Sequence, residues 1–211
     1  MDMVYPTIDL EKKLWKKGFK IVVGIDEAGR GPLAGPVVAG CVCITSKKQV
    51  VDSVRDSKKM TERQRNIAFE LIKEKSEGYG VGIVEAKRID KVGIRQAVLE
   101  AMTEAVKETE KMLKEKVEYI IADGGIILIE GYEMESIEKG DLNHYSIAAG
   151  SVLAKVTRDR IMNQYANQFP KYGFEKHMGY GTKLHMDMIK KYGACEIHRL
   201  SFAPFNSKPI D

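Results

Sequence analysis

Apolar residues change their period repeatedly along the chain, and the changes divide it into alternating helices and strands. Thr7 is placed to cap a short helix to about Lys17, closed by Gly18, with Leu10, Leu14 and Trp15 on its apolar side. Phe19–Ile25 and Val37–Thr45 are β-rich runs on either side of a Gly/Pro-dense turn, which predicts an antiparallel hairpin or consecutive strands. Thr61-x-x-Gln64 is a capping box opening a helix to about Lys75, and Tyr79–Glu85 returns as a strand. Within 90–116, Ile94, Val98, Met102, Ala105, Met112 and Leu113 recur at helical spacing and predict one long amphipathic helix. Glu118–Ala122 predicts a strand stopped by Asp123-Gly124-Gly125. After the apolar run Ile126–Ile129, Met134–Glu138 predicts another, ending at Lys139-Gly140-Asp141. The helix predicted over His144–Gln168 carries the small cluster Ala148-Ala149-Gly150-Ser151, which lets it approach a sheet closely. Tyr172–Thr182 is a Gly-rich loop, and Lys183–Tyr192 is the last helix.

Interleaved strands and helices place the chain in the α/β class, with a mixed central sheet flanked by helices. At 211 residues one domain is expected over 1–211, with residues 1–18 as a helical appendage and about 165–211 as a small C-terminal helical extension and tail. No segment approaches the ~18 uninterrupted apolar residues of a spanning helix. The N-terminus lacks a long apolar core, so it is not read as a secretory signal and the cytoplasm is the expected address. Cys41, Cys43 and Cys195 form no Cys-x-x-Cys pair, which argues against a zinc site or a disulfide framework; Cys41 and Cys43 alternate with Val42 as core residues.

Charge adds little as a sum and more as a distribution. The net formal charge is +4; residues 1–140 hold 24 basic and 24 acidic side chains, residues 141–211 hold 10 and 6. The whole excess therefore lies in the last third, as do all four histidines (His144, His177, His185, His198). Such a region is either a footprint for a polyanion or chance scatter. Lys155, Arg158, Lys176, Lys183 and Arg199 are its candidates for contacts to a phosphate backbone.

Hard divalent cations bind oxygen ligands, and a few carboxylates on rigid elements suffice. Acids stand at three predicted strand ends: Asp26-Glu27 after the first strand, Asp123 after the strand at 118–122, and Asp141 after the strand at 134–138. Asp123-Gly124 and Gly140-Asp141 read equally well as ordinary turns, whereas two adjacent acids in GIDEAGRG serve no evident turn purpose. Gly29-Arg30-Gly31-Pro32 follows at once; glycines let a backbone approach a ligand and Arg can grip a phosphate, although as a bare pattern this is a tight turn and no Walker loop.

DEAGRGPLAGPVVAG from Asp26 resembles the signature of the ribonuclease HII family, the type 2 ribonucleases H. The resemblance extends in order through DSKKMT (56–61), ADG (122–124), KGD (139–141), IAAGSVLAKVTRDR (147–160), HMGYGT (177–182) and IHRLSFAP (197–204). It implies an RNase H-like fold and metal-dependent endonucleolytic cleavage of the RNA strand of RNA/DNA hybrids. It also implies cutting 5′ to single ribonucleotides embedded in duplex DNA, leaving 3′-hydroxyl and 5′-phosphate ends. By motif its catalytic and metal-binding carboxylates fall on Asp26, Glu27, Asp123 and Asp141. In the implied two-metal chemistry, with Mg²⁺ or Mn²⁺, Asp26 bridges both ions, Glu27 and Asp123 help hold one, and Asp141 the other. Gly29, Arg30 and Gly31 match the sensor of the 2′-hydroxyl, and Tyr180 the tyrosine beneath the sugar at the RNA–DNA junction. Lys58 is either a phosphate ligand or a solvated loop lysine.

The chain departs from the family pattern at Gly93-Ile94, where Asn-Ile is usual, at Leu142-Asn143-His144, at Gly150 and at Met178. A ribonuclease HIII-like hybrid nuclease is the first alternative; that relative carries a sizeable N-terminal domain and typically Glu in place of Asp123. A non-catalytic hybrid-binding module is the second, and an unused acid cluster that would repel its own ligand speaks against it. A monomer is expected. Recruitment by a sliding clamp has no motif to support it in the tail FNSKPID.

Overall fold

The computed structural model describes residues 5–125 and 128–206. In chain order the elements are α1 (Asp9–Lys16), β1 (Val22–Ala28), β2 (Val37–Cys43), α2 (Glu62–Lys75), β3 (Gly78–Val84), α3 (Ala86–Val92), α4 (Ile94–Leu113), β4 (Tyr119–Asp123) and β5 (Glu133–Ile137). The short α5 (Gly140–Asn143) then leads into α6 (Tyr145–Gln168), α7 (Phe174–His177) and α8 (Lys183–Tyr192). The strands form one sheet in the order β3-β2-β1-β4-β5. β1 and β3 pair antiparallel with β2, while β1–β4 and β4–β5 are parallel, giving the mixed sheet expected from the alternation of elements.

Helices cover both faces, so β2 is buried along its whole length. On one face Val23, Ile25, Ala39 and Cys41 pack with Ala97, Ala101, Met102 and Ala105 of α4, and both strand cysteines are core residues as their alternation predicts. On the other face Val42 packs with Ala148, Val152 and Leu153 of α6, and Val22 and Ile121 with Ile147. Each large aliphatic side chain removed from water in these layers contributes about 1.5–3 kcal/mol.

The contact of α6 with β1 and β2 is closer than side chains allow. A Cβ added at Gly40 would lie 2.3 Å from the Gly150 carbonyl oxygen, and one at Gly24 2.3 Å from the Ile147 nitrogen. The Ala148–Ser151 cluster thus brings the helix backbone onto the sheet, as its small residues predict. The N-terminal segment is tied to the same helix and is no loose appendage: buried Glu11 accepts hydrogen bonds from the Ser146 N–H (3.0 Å) and Oγ (2.7 Å). Helix N-termini present unsatisfied N–H groups, and a carboxylate there is favourable.

Four sequence expectations change in detail. β1 runs on through Asp26 and Glu27, which pair with Gly40 and Ala39, so these acids stand within the strand instead of ending it. The helix expected over 90–116 is two helices, because Gly93 at φ 81° ends α3 and starts α4, a backbone state that apolar spacing does not report. Thr7 stands one residue before the helix cap at Ile8 and instead bridges to His144. The loop at 172–182 contains α7. The capping box at Thr61 and Gln64 forms as predicted, while part of the apolar run 126–129 lies outside the described residues.

Gly40→Ala should lower the free energy of unfolding by at least about 2 kcal/mol, since the added methyl group would run into the α6 backbone at Gly150 and Ala154. Urea denaturation measures it, and a loss under about 0.5 kcal/mol would show that α6 is not held by this contact.

Candidate functional site

Parallel pairing of β1 with β4 aligns Ile25 with Ala122, so the next residue of each strand, Asp26 and Asp123, emerge side by side at one end of the sheet. Asp141 arrives from α5, just after β5. One carboxylate oxygen from each of the three lies within 4.8 Å of the others. Asp123 Oδ1 accepts hydrogen bonds from the backbone N–H of Gly140 (2.6 Å) and, more weakly, of Asp141 (3.4 Å), which ties the end of β4 to α5. Asp26 is 5% exposed and faces α6, where Ser151 hydrogen-bonds to it; Ser151 Oγ in turn lies 2.9 Å from Ser57 Oγ.

Crowding acids in a dry site penalises their charged forms. Burial, then the neighbouring Glu27 and Asp123 carboxylates, push Asp26 up to about 8. Burial followed by Asp123 raises Asp141. Burial also raises Glu27, partly offset by Arg30, whose Nη1 donates to Glu27 Oε1 at 3.1 Å. Glu27 is the member of the expected quartet that lies outside the close cluster of the other three. Its other oxygen, Oε2, is buried without a hydrogen-bond partner among the described residues. Lys58 Nζ lies 3.8 Å from Asp141 Oδ2 on a side chain 78% exposed. Burial opposes its ammonium form, but Asp141 and the other nearby carboxylates outweigh this and raise its pKa.

A cleft of about 330 Å³ joins Asp26 and Glu27 to Gly29, Arg30, Gly31, Lys58 and Tyr180. Tyr180 is 46% exposed, with an edge of its ring 3.9 Å from where a Cβ on Gly31 would stand. The expected binding residues thus share one cavity, with Asp123 and Asp141 adjoining it through Asp26.

The basic residues of the last third divide in two. Lys176 and Lys183 are exposed, and Lys155 lines the cleft while paired to Asp159 at 2.8 Å. Arg158 and Arg199 are 1% and 0% exposed and bond to backbone carbonyls, so they cannot touch a phosphate backbone as their charge alone suggested. Three of the histidines are likewise buried. His185 and His198 face each other Nε2 to Nε2 at 3.0 Å, and His185 Nδ1 lies 2.9 Å from the Tyr180 carbonyl oxygen, so this pair supports the loop bearing Tyr180. The sequence gives Ser151 no role beyond its size, although a lone hydroxyl in the otherwise apolar run 147–154 is a signal.

Comparison with known proteins bears on the family and the fold. The family model described as Ribonuclease HII matches residues 23–205. A Caldicellulosiruptor bescii protein named Ribonuclease HII is 45% identical over 194 residues, 92% of each chain. Among solved structures, the ribonuclease H2 from Pyrococcus horikoshii OT3 superposes with a TM-score of 0.73 at 26% identity, covering 88% of this chain and 95% of that one. The RNase HII of Archaeoglobus fulgidus, solved in a complex with PCNA, has the same fold (TM-score 0.70, 24% identity, covering 85% and 94%).

The shift at Asp26 has a definite sign. An acid raised from 3.8 to about 8 stabilises the fold fully only while protonated, so the metal-free protein should lose this contribution progressively as pH rises from about 4 to about 8. Asp26→Asn should therefore raise the Tm relative to wild type more at pH 8.5 than at pH 5 in chelator-treated buffer. Equal differences at the two pH values would show that Asp26 titrates normally.

Proposed function

The chain belongs to the ribonuclease HII family, and from that membership we propose that it hydrolyses the RNA strand of RNA/DNA hybrids and cuts 5′ to single ribonucleotides embedded in duplex DNA. It is a metal-dependent endoribonuclease. Membership supports this reading over the ribonuclease HIII-like alternative. The observation that carries the proposal is the convergence of Asp26, Asp123 and Asp141 from three elements onto one sheet end beside the glycine turn.

The donor set fits divalent cations. It is made wholly of hard carboxylate oxygens, burial and then the neighbouring carboxylates raise Asp26 to about 8, and Glu27 Oε2 beside it is buried with no hydrogen-bond partner among the described residues. Asp26, Asp123 and Asp141 would hold the ions, Mg²⁺ or Mn²⁺, with Glu27 contributing its free oxygen. Two bound cations supply an activated water and neutralise charge on the leaving oxygen.

The chain's own groups handle recognition. The backbone of Gly29, Arg30 and Gly31 would read the 2′-hydroxyl, the group that distinguishes RNA from DNA. The exposed ring of Tyr180, held by His185 through its backbone, would pack beneath the sugar. The ammonium form of Lys58, favoured by Asp141 against partial burial, lies on a side chain exposed enough to meet a phosphate oxygen. No described helix is long and apolar enough to cross a membrane. A monomer acting in the cytoplasm completes the reading. Sliding-clamp recruitment is left out of it, since residues 207–211 of the tail lie outside the described residues and FNSKPID carries no clamp-binding pattern.

End-labelled duplexes carrying one ribonucleotide or four, incubated with Mg²⁺ or Mn²⁺, test the proposal by the position of the cut. The expected product is a single nick 5′ to the lone ribonucleotide with a 3′-hydroxyl end, while an all-DNA duplex stays intact. Asp123→Asn should slow cleavage by about a thousandfold or more, as expected when several kcal/mol of charge stabilisation is removed. Cleavage by Asp123→Asn at the wild-type rate, or equal cutting of all-DNA duplex, would overturn the reading.

A further inference from the structure

We infer that Arg199, in the C-terminal extension, is a positioning residue of the substrate site: its guanidinium sets the direction in which the amides of the Gly29–Arg30–Gly31 turn point. The inference rests on reading that turn as the recognition element for the ribose. Arg199 is fully buried and lies 170 positions along the chain from Gly29, yet it donates Nη2 to the Gly29 carbonyl (2.6 Å), Nη1 to the Arg30 carbonyl (3.0 Å) and Nε to the Gly35 carbonyl (3.0 Å). Arg158 is its companion, donating to the carbonyls of Pro36 (3.0 Å), Ala34 (3.2 Å) and Met178 (3.0 Å). Neither guanidinium makes a salt bridge with a described residue. A buried cation satisfied only by carbonyls is costly, and hydrophobic filling of the same space would not orient peptide planes.

Planarity gives the arrangement its consequence. In a trans peptide the carbonyl and the following N–H lie on opposite edges of one plane. Drawing the Gly29 and Arg30 carbonyls inward therefore turns the Arg30 and Gly31 N–H groups outward. Neither N–H bonds to any described residue, and both residues line the cleft with Tyr180. Two free donors aimed into a cleft suit a hydroxyl oxygen, which every ribonucleotide offers and deoxyribose lacks. Gly29 is held to this geometry from below: its φ is 96°, and a Cβ there would lie 2.2 Å from Arg158 Nε. The forked guanidinium is needed because an ammonium cannot hold adjacent carbonyls in fixed relative directions.

The test uses the full-length protein with Arg199→Lys and Arg199→Met. Kinetics are measured on a duplex with one ribonucleotide, with the matching all-DNA duplex as competitive inhibitor. The expected result is that kcat/KM falls by about tenfold or more, the loss of about one well-aligned hydrogen bond, while the Ki of the all-DNA duplex stays within about twofold of wild type. Amide ¹H–¹⁵N signals of Gly29, Arg30 and Gly31 should shift or broaden in Arg199→Lys while those of β1 and β4 upstream of the acids stay in place. Parallel losses in kcat/KM and in all-DNA affinity, unchanged turn signals with unchanged kinetics, or failure of both variants to fold would overturn the positioning role in favour of a purely structural one. Failure of the wild-type protein to cut would count against the proposed function, and the amide signals would still decide whether Arg199 orders the turn.

Discussion

Mutual repulsion among carboxylates at a partly dehydrated sheet end is the constraint to which the rest of the structure answers. Two unit charges at 4.8 Å repel by about 3 kcal/mol at an effective dielectric constant near 20, and Asp26, Asp123 and Asp141 form three such pairs. The protein offsets this incompletely. Asp123 is held by the N–H groups of Gly140 and Asp141, Asp26 by Ser151, and Asp141 by the distant ammonium of Lys58. Burial, together with the repulsion left uncompensated, raises the pKa of Asp26, and Glu27 Oε2 is left without a hydrogen-bond partner among the described residues. A site arranged in this way favours cations, and its strain is held by elements too well packed to relax.

Packing and chemistry are joined at one contact. Gly40 is at once the register partner of Asp26 and the point where α6 presses its Gly150 carbonyl against the sheet. That close approach sets Ser151 beside Asp26 and Lys155 at the rim of the cleft. On the other side of Asp26 the parallel pairing with β4 sets Asp123. The acids owe their convergence to backbone register, which side-chain substitutions alter little, and to a helix–sheet distance that only missing side chains permit.

Much of this was legible along the chain. Acids directly after apolar runs marked the sheet end, the Ala148–Ser151 cluster announced the close helix, and Thr61 with Gln64 announced a helix start. Other parts carried no local signal. Asp26 and Glu27 resemble strand terminators because polar residues follow an apolar run there, whereas their backbone pairing with β2 continues without regard to side chain. Gly93 interrupted a helix whose apolar spacing ran on through it. By sequence Arg158 and Arg199 are indistinguishable from surface charge, because nothing local reveals the carbonyls that enclose them, most of which lie more than 120 residues away. Glu11 was hidden for the same reason, since its partner is the first turn of α6.

The central claim is that Asp26, Asp123 and Asp141, and not another cluster of the protein, form a divalent-cation site. Anomalous diffraction from crystals soaked in Mn²⁺ addresses it without reference to catalysis. The account predicts anomalous density bounded by the carboxylates of Asp26, Asp123 and Asp141. Density confined to other places, such as the buried His185–His198 pair, or none at concentrations that bind other carboxylate sites, would contradict it.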